Sequence, residues 1–175
     1  MLVKVSVQSL RLDRVSRTPV LILQENDGER VLLMWIGPAE AQAIADELAD
    51  RKYPRPLTHD LLASVVGGLG GALQKVVISR VEASTYFAEL IIRRNGEVIS
   101  VDARPSDSIA VALRLQADIF ADEELLEHAI FEAPGEQSVG EPPLLEQEPD
   151  PEMAGEELKE YLRKLAPEDF GRFTP

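Results

Sequence analysis

The spacing of apolar residues predicts two separate blocks of β-strands. Valines at every second position of residues 3–7 share one face of the opening segment, LVKVSVQSLRL. Two apolar runs then flank Asp27-Gly28, a dipeptide typical of hairpin turns. Three further strand-like segments follow between residues 74 and 103, and the last two are joined by Asn95-Gly96. Each block therefore contains a hairpin, which is antiparallel by construction.

Helical spacing follows each block. In the segment GPAEAQAIADELADR, Pro38 suits the first helical position. In the next helical segment, THDLLASVVGGLGG, Thr58 is the predicted N-cap. PSDSIAVALRLQ is apolar nearly all round and is expected to be buried. A short extended piece and an acidic helix complete this part, up to residue 131. The order predicts an α+β fold with a largely antiparallel sheet built from two strand-rich blocks, each followed by helix.

The composition changes after Phe131. Residues 132–152 are rich in Pro, Gly and Glu and are typical of a linker. Residues 153–175 place Leu158, Tyr161, Leu162 and Leu165 on one side of a predicted amphipathic helix. We therefore divide the chain into a domain at 1–131, an acidic linker at 132–152 and a C-terminal helix and tail at 153–175. The helix needs a partner surface, on this body or on another subunit, and the sequence leaves both open.

The net charge of −13 is unevenly distributed. Residues 1–131 contain 14 Lys/Arg against 19 Asp/Glu, which gives −5, and residues 132–175 contain 4 against 12, which gives −8. The body lacks the basic footprint of a typical nucleic-acid binder, so any such contact is expected to be local, weak or bridged by a metal. The absence of cysteine excludes disulfides and thiolate zinc sites. We find no secretory signal and no membrane-length apolar run, and we expect a cytoplasmic protein without membrane association.

Neighbouring His59 and Asp60 form the first candidate site. Both fall in the first turn of the predicted helix that starts near Thr58. A carboxylate at Asp60 has a sufficient structural role there, because it favours the positive end of the helix dipole. Alternatively, imidazole and carboxylate together bind a metal or transfer a proton. The spacing alone favours the structural interpretation of the two.

The segment VDARPSDSIAVAL contains the second candidate site. If Pro105 is the first helical residue, Arg104 is the cap and Asp107 lies in the first turn; alternatively, Ser106 is the cap. Either arrangement accounts for Ser106 and Asp107, but not for Asp102 at a strand end or for Arg104. Asp102 and Arg104 could form a structural bridge. Equally, Asp102 and Asp107 could present oxygens to Mg²⁺ or Mn²⁺ while Arg104 contacts a phosphate.

Four motifs together resemble the bifunctional nuclease family. They are WIGPAEAQAIA at 35–45, RPLTHDLL at 55–62, VVISRVEASTYFAELIIRR at 76–94 and VDARPSDSIAVALRLQADIF at 101–120. The resemblance covers about residues 2–131. It implies an α+β domain, a homo-oligomer, and nuclease activity on DNA and RNA. The matching polar positions are Glu40, His59, Asp60, Asp102, Arg104, Ser106 and Asp107.

The resulting hypothesis is metal-assisted hydrolysis of phosphodiester bonds. Asp102, Asp107 and Asp60 would hold a divalent ion, Mg²⁺ or Mn²⁺, that lowers the pKa of a bound water. His59 would act as general base or acid, and Arg104 would stabilise charge on the phosphate. We include Glu40 and Ser106 among the candidate catalytic residues on the resemblance alone.

A non-enzymatic module is the competing hypothesis. In that case the polar residues of the motifs are helix caps and buried bridges, and the protein acts by self-association or by binding a protein partner. The acidic linker favours this hypothesis, because it repels nucleic acid. A combination is also open, in which the tail covers a groove of the body and competes with polyanions.

Overall fold

A computed structural model of the chain describes residues 1–13 and 15–127, together with residues 160 and 163. The helices and strands, in chain order, are β1 (Leu2–Leu12), β2 (Pro19–Glu25), β3 (Val31–Trp35), α1 (Pro38–Leu48), α2 (Thr58–Gly68), β4 (Gly71–Glu82), β5 (Thr85–Arg94), β6 (Glu97–Ala103), α3 (Pro105–Leu115), β7 (Asp118–Asp122) and α4 (Glu123–Glu127). The predicted linker at 132–152 lies outside the described residues, as do the boundary at 131 and the predicted tail helix except residues 160 and 163.

The strands of the described chain form one sheet in the order β3-β2-β1-β7-β4-β5-β6. Neighbouring strands are antiparallel except for β4 and β7, which run parallel. The α+β prediction with a largely antiparallel sheet is therefore confirmed. Strand β7 lies between the two blocks, and its residue Ile119 pairs with Val5 on one side and with Val76 on the other.

Both predicted hairpin turns are confirmed. Strands β2 and β3 turn at residues 26–29, where the Glu25 amide donates to the Arg30 carbonyl over 2.9 Å. Asn95 and Gly96, between β5 and β6, have φ angles of 52° and 84°. Two successive positive φ angles are the requirement of a type I′ turn, whose twist matches that of the flanking strands.

The hydrophobic core lies on one face of this sheet. Cross-strand partners share a face, and the partners Val76–Leu90 and Ile78–Ala88 are buried. Helix α3 lies over this face with Ile109 fully buried, and α1 and α2 pack on either side of α3. The prediction that α3 is a buried helix is confirmed. In the described part of the chain, no helix has both the length and the apolar composition needed to span a bilayer.

Candidate active site

The first turns of α1, α2 and α3 each contain an acidic residue at the third helical position: Glu40, Asp60 and Asp107. An acid there favours the positive end of the helix dipole. None of the three N-cap residues makes a side-chain capping bond. The N-cap of α2 is Leu57, so the prediction that Thr58 caps this helix is wrong, although His59 and Asp60 do lie in the first turn.

The start of α3 follows the first of the two predicted alternatives. Arg104 is the N-cap with extended backbone angles, and Pro105 is the first helical residue. Proline suits that place because its ring fixes φ near the helical value and the missing N–H would have no partner within the helix. The alternative with Ser106 as the cap is wrong, because Ser106 is already the second helical residue and is buried.

Four of the predicted site residues form one continuous chain of contacts. Glu40 Oε1 lies 2.8 Å from Arg104 Nη2, and Arg104 Nε lies 2.7 Å from Asp107 Oδ2. The other oxygen of this carboxylate, Asp107 Oδ1, lies 3.0 Å from His59 Nε2. The chain therefore joins α1, the start of α3 and α2. Sequence spacing could not show that these three helix starts meet.

The charge state of Asp107 determines which nitrogen of His59 is available for chemistry. Burial acts to raise the pKa of Asp107, but hydrogen bonds from His59 and Arg104, together with the Arg104 charge, outweigh it and lower the pKa below its usual value. An ionised carboxylate can only accept hydrogen bonds, so Nε2 of His59 must donate to it. Nδ1 is then the nitrogen that can take up a proton, as in an oriented histidine–aspartate pair.

Arg104 is the part of this chain that reaches solvent. Its side chain is 67% exposed, whereas those of Glu40 and His59 are 17% and 14% exposed. Asp107 binds Nε of Arg104, and Glu40 binds its Nη2. A guanidinium has five N–H donors in a planar fork, so donors remain to contact an anion such as a phosphate.

Asp60 is held by an arginine that we did not predict. Arg114 Nε lies 2.5 Å from Asp60 Oδ1, and Asp60 Oδ2 accepts the Leu57 amide over 2.8 Å. The Arg114 guanidinium also donates to the carbonyls of Ala43 and Ala110, and its side chain is 7% exposed. The hydrogen bond from Arg114 is the main cause of a lowered Asp60 pKa. The signal available in the sequence was Arg114 itself, the single charged residue among the apolar residues 109–115 of α3.

A buried carboxylate, Asp46, positions the loop that leads into α2. Asp46 is 2% exposed and accepts hydrogen bonds from Gln42 Nε2 at 2.6 Å, Arg51 Nη1 at 2.8 Å and Tyr53 Oη at 2.8 Å. A buried charge needs such partners to be tolerated. These contacts tie residues 51–53 back to α1, and thereby help to fix where α2 begins beside α3.

Asp102 and Ser106 take no part in the chain of contacts. Asp102 pairs across β5 and β6 with Glu89, next to the partners Val101–Leu90, of which Leu90 faces the core. Since side chains alternate along a strand, Asp102 and Glu89 point to the face of the sheet opposite the helices. The structure therefore does not bring Asp102 to Asp107.

The donor set does not match a divalent cation as it is arranged here. Among residues 1–13 and 15–127, no three His, Asp or Glu side chains are grouped so that they could hold a metal ion. Both carboxylate oxygens of Asp107 and both of Asp60 already accept hydrogen bonds from N–H donors. Mg²⁺ and Mn²⁺ favour carboxylate oxygens that are free to ligate. We therefore derive no chemical step through a metal.

Comparison with known proteins shows the family to which the chain belongs. Residues 21–134 match the family described as the bifunctional nuclease domain. The uncharacterized protein Rv1829 of Mycobacterium tuberculosis is 38% identical over 167 residues, which cover 95% of this chain and 97% of that protein. Bifunctional nuclease 1 of Oryza sativa subsp. japonica is 26% identical over 114 residues, 63% of this chain and 34% of the plant protein. Bifunctional nuclease 1 of Arabidopsis thaliana is 26% identical over 105 residues, 58% and 32% of the two chains. The chain therefore belongs to the bifunctional nuclease domain family.

Proposed function

We propose that this protein is a nuclease that hydrolyses phosphodiester bonds in DNA and RNA. The observation that carries the proposal is the chain Glu40–Arg104–Asp107–His59, which joins a proton-transfer group to an exposed cation. Family membership and the names of the plant relatives support the same activity. The substrate strand type is left to experiment.

His59 is the proposed general base. Its Nδ1 takes a proton from the attacking water, or from the 2′-hydroxyl when the substrate is RNA, as the new P–O bond forms. Asp107 orients the imidazole through Nε2 and stabilises the imidazolium that results. The imidazolium returns the proton to the departing sugar oxygen as its bond to phosphorus breaks. Proton transfer of this kind contributes typically about 10²–10⁴-fold in rate.

Arg104 is the proposed phosphate contact. Its remaining N–H donors would stabilise the charge of a bound phosphate, and Glu40 and Asp107 hold the guanidinium in one orientation. The starts of three helices add positive partial charge nearby. A local positive field of this kind would attract a phosphate although the chain as a whole is acidic.

A role for Mg²⁺ or Mn²⁺ stays a prediction. It would require Asp107 or Asp60 to exchange an N–H partner for the ion, with Asp102 supplying an oxygen only after a rearrangement of the sheet edge. We also propose that the protein is located in the cytoplasm.

Cleavage assays on purified full-length protein test the proposal. Labelled single-stranded DNA and RNA are incubated with the protein in Mg²⁺, in Mn²⁺ and in EDTA, beside the His59→Gln variant. Glutamine can still donate a hydrogen bond to Asp107 but cannot carry the proton. We expect the variant to lose at least about 100-fold in rate while its circular dichroism spectrum is unchanged.

The exposed turn residue Asp27 supplies the matched control. Asp27→Asn, purified in the same way, should cleave at the unsubstituted rate. If His59→Gln cleaves as fast as Asp27→Asn in every condition, the activity comes from another site or from a contaminant and the proposed mechanism is wrong. Cleavage that EDTA abolishes would show that the metal is required.

A non-enzymatic binding module is the second candidate. It is favoured by the apolar residues that α2 presents outwards, since a surface of this kind indicates a protein contact. Absence of cleavage by the folded, unsubstituted protein under every metal condition would favour this candidate over the first.

A further inference from the structure

The loop between α1 and α2 concentrates positive charge beside the candidate active site. Residues 51–55, RKYPR, include three basic residues and no acidic one, in a chain whose net charge is −13. All five residues are exposed, and the helix that bears His59 begins shortly after them, at Thr58. We call residues 51–55 the basic loop. Its charge is opposite to that of the chain as a whole.

Asp46 anchors the basic loop to α1. The buried carboxylate of Asp46 accepts hydrogen bonds from Arg51 Nη1 and from the Tyr53 hydroxyl, each over 2.8 Å. The Tyr53 ring is thereby held in one orientation, although 42% of the residue stays exposed. An aromatic ring that is both fixed and exposed can stack on an unpaired base at little cost in conformational entropy.

The fold does not require positive charge at the other two basic positions of the loop. Lys52 pairs with Asp50 over 2.6 Å, but these side chains are 74% and 83% exposed, so the pair contributes little stability. The Arg55 guanidinium forms no hydrogen bond or ion pair with any residue that the structure describes. Because Arg55 precedes Pro56, its backbone is restricted to extended conformations. Both cations are therefore available to an anion outside the chain.

Helix α3 shows where the basic loop lies relative to His59. Asp107 in the first turn of α3 contacts His59, and Arg114 in its last turn contacts Asp60. The start of α2 therefore lies along α3, with His59 toward the Arg104 end and Asp60 toward the other end. We call this line of contacts the α3 row. From Arg104 to Arg114 it measures about 15 Å along the helix axis, which is the length of about four nucleotides of a stacked strand.

The basic loop lies near the Asp60 end of the α3 row. The pKa of Lys52 is raised, first by its hydrogen bond to Asp50 and also by the charge of Asp60, so Lys52 lies beside the start of α2. Arg55 comes four residues before His59, which limits the separation of their Cα atoms to about 14 Å. The basic loop and the proposed phosphate contact are therefore placed toward opposite ends of the α3 row, with the proposed general base between them.

We propose that the basic loop binds the nucleic-acid strand that enters the active site, and that this strand is single-stranded DNA or RNA. The inference rests on the proposed nuclease function and names its substrate class. Lys52 and Arg55 contact phosphates next to the one held by Arg104, and the Tyr53 ring stacks on an unpaired base. In a duplex the bases are already paired and stacked, so none is free to receive the ring.

A nucleic acid fits the basic loop better than an acidic polypeptide does. Carboxylates, including those of residues 132–152, would satisfy the two cations through charge alone. They would leave the exposed Tyr53 ring without a partner, whereas a single strand supplies both phosphates and unpaired bases. The two occupants therefore predict different effects of removing the ring.

The affinity of the full-length protein for labelled oligonucleotides of about 12 nucleotides tests the inference. Every protein in this assay carries His59→Gln and the buffer contains EDTA, so that binding is measured without cleavage. Gel electrophoresis verifies that the oligonucleotide is recovered intact. We expect single-stranded DNA and RNA to bind at least about tenfold more tightly than a duplex of the same length.

Two substitutions of Tyr53 isolate the contribution of the ring. Tyr53→Phe and Tyr53→Leu both remove the hydrogen bond to Asp46, but only Tyr53→Phe keeps an aromatic ring. We expect Tyr53→Leu to bind single strands at least about tenfold more weakly than Tyr53→Phe does. The two variants should bind the duplex equally, and their circular dichroism spectra should match.

Lys52→Gln/Arg55→Gln tests the phosphate contacts. For a single strand, each lost phosphate contact lowers the slope of the logarithm of the binding constant against the logarithm of salt concentration by about 0.7, so we expect a decrease of about 1.4. Arg93→Gln/Arg94→Gln is the matched control, because it removes the same charge from two exposed positions. Arg94 pairs with Gly71 just after α2 ends, whereas the basic loop precedes the start of α2. The control should keep the unsubstituted slope.

Three results would overturn the inference. They are a duplex that binds as tightly as the single strands, equal single-strand affinities of Tyr53→Phe and Tyr53→Leu, and equal salt slopes of Lys52→Gln/Arg55→Gln and its control. Dependence on the two cations without dependence on the ring would show a general attraction of acidic polymers instead.

The outcome for the basic loop is separable from the outcome for the nuclease proposal. If the loop variants lose affinity but the unsubstituted protein cleaves nothing, single-strand binding stands and the nuclease proposal is wrong. If the unsubstituted protein cleaves but the loop variants bind normally, the nuclease proposal stands and the inference about the loop is wrong.

Discussion

At the scale of single residues, the contacts of His59 fix the tautomer and the orientation of its imidazole ring. The ring nitrogen Nε2 faces a carboxylate that is also held by Arg104, so one tautomer is selected and the ring cannot rotate freely. A solvated histidine would have neither constraint. The same reasoning applies to Asp60, whose two oxygens are both engaged, by Arg114 and by the Leu57 amide.

Replacing Arg104 by lysine should impair activity while leaving the fold intact. Lysine keeps the charge but cannot bind Glu40 and Asp107 through two nitrogens of one planar group. We expect cleavage to fall about tenfold or more, and the free energy of unfolding to change by less than about 1 kcal/mol because Arg104 is 67% exposed. Steady-state cleavage and urea unfolding are the measurements. Arg94→Lys, at an exposed strand end, is the control.

Asp60→Asn should lower stability in a pH-dependent way. Because the pKa of folded Asp60 lies below its ordinary value of 3.8, its ionised form stabilises the fold above that pH. The contribution is lost as the pH falls below 3.8 through the lowered folded-state pKa. We expect a loss of about 1–2 kcal/mol at pH 7, reduced from the value for a buried pair because Asp60 is one-third exposed.

Urea unfolding of Asp60→Asn and the unsubstituted chain from pH 7 down to pH 2.5 measures this difference. The two curves should converge at the acidic end. A gap that stays constant over the whole range would show that the substitution acts through packing rather than through the carboxylate charge.

At the scale of elements, the ends of the helices fix the site more than their interiors do. Both α1 and α3 begin at a proline, and α3 ends with Gln116 in the left-handed conformation at φ 52°. The Ala117 amide then donates to the Ala112 carbonyl over 2.9 Å, a bond that closes many helices. These ends set the length of α3, which has Asp107 in its first turn and Arg114 in its last.

Gln116→Gly should stabilise the protein. Glycine adopts the left-handed conformation without the steric penalty that a side chain carries, and it is the residue most often found at such helix ends. We expect the free energy of unfolding to rise by up to about 1 kcal/mol. Thermal unfolding measures the effect, with Gln116→Ala as the control that should give no gain. Equal effects of the two substitutions would contradict the explanation.

At the scale of the whole molecule, β7 makes one folding unit out of two strand blocks. It is hydrogen-bonded to β1 of the first block and to β4 of the second, and Ile119 is 5% exposed between them. The site depends on this joining, because Glu40 follows the first block in the chain and Asp107 follows the second. Neither block could assemble the chain of contacts alone.

Ile119→Ala should destabilise both blocks together. Removing a buried isoleucine side chain from the junction is expected to lower the free energy of unfolding by about 2–4 kcal/mol. Trp35, the only tryptophan, reports on β3 in the first block, and far-ultraviolet circular dichroism reports on the described fold as a whole. The two transitions should coincide in the variant as in the unsubstituted chain. Separate midpoints would show that the blocks unfold independently.

The sequence by itself determined the elements of this protein. Alternating valines, the Asp27-Gly28 and Asn95-Gly96 turns, and the prolines at 38 and 105 act within a few residues, so local steric and hydrogen-bonding preferences suffice to predict them. The family motifs lie in the same segments.

Only the tertiary structure decided what meets what. Strand β7 lies between β1 and β4, and Asp102 points to the far face of the sheet. His59 contacts Asp107 from 48 positions away in the chain, and Arg114 contacts Asp60 from 54 positions away. These placements depend on packing between elements that are distant in the sequence. Apolar periodicity states that a face is buried, but not which partner buries it. That choice comes from the fit of whole elements around one core, which no short window of the chain contains.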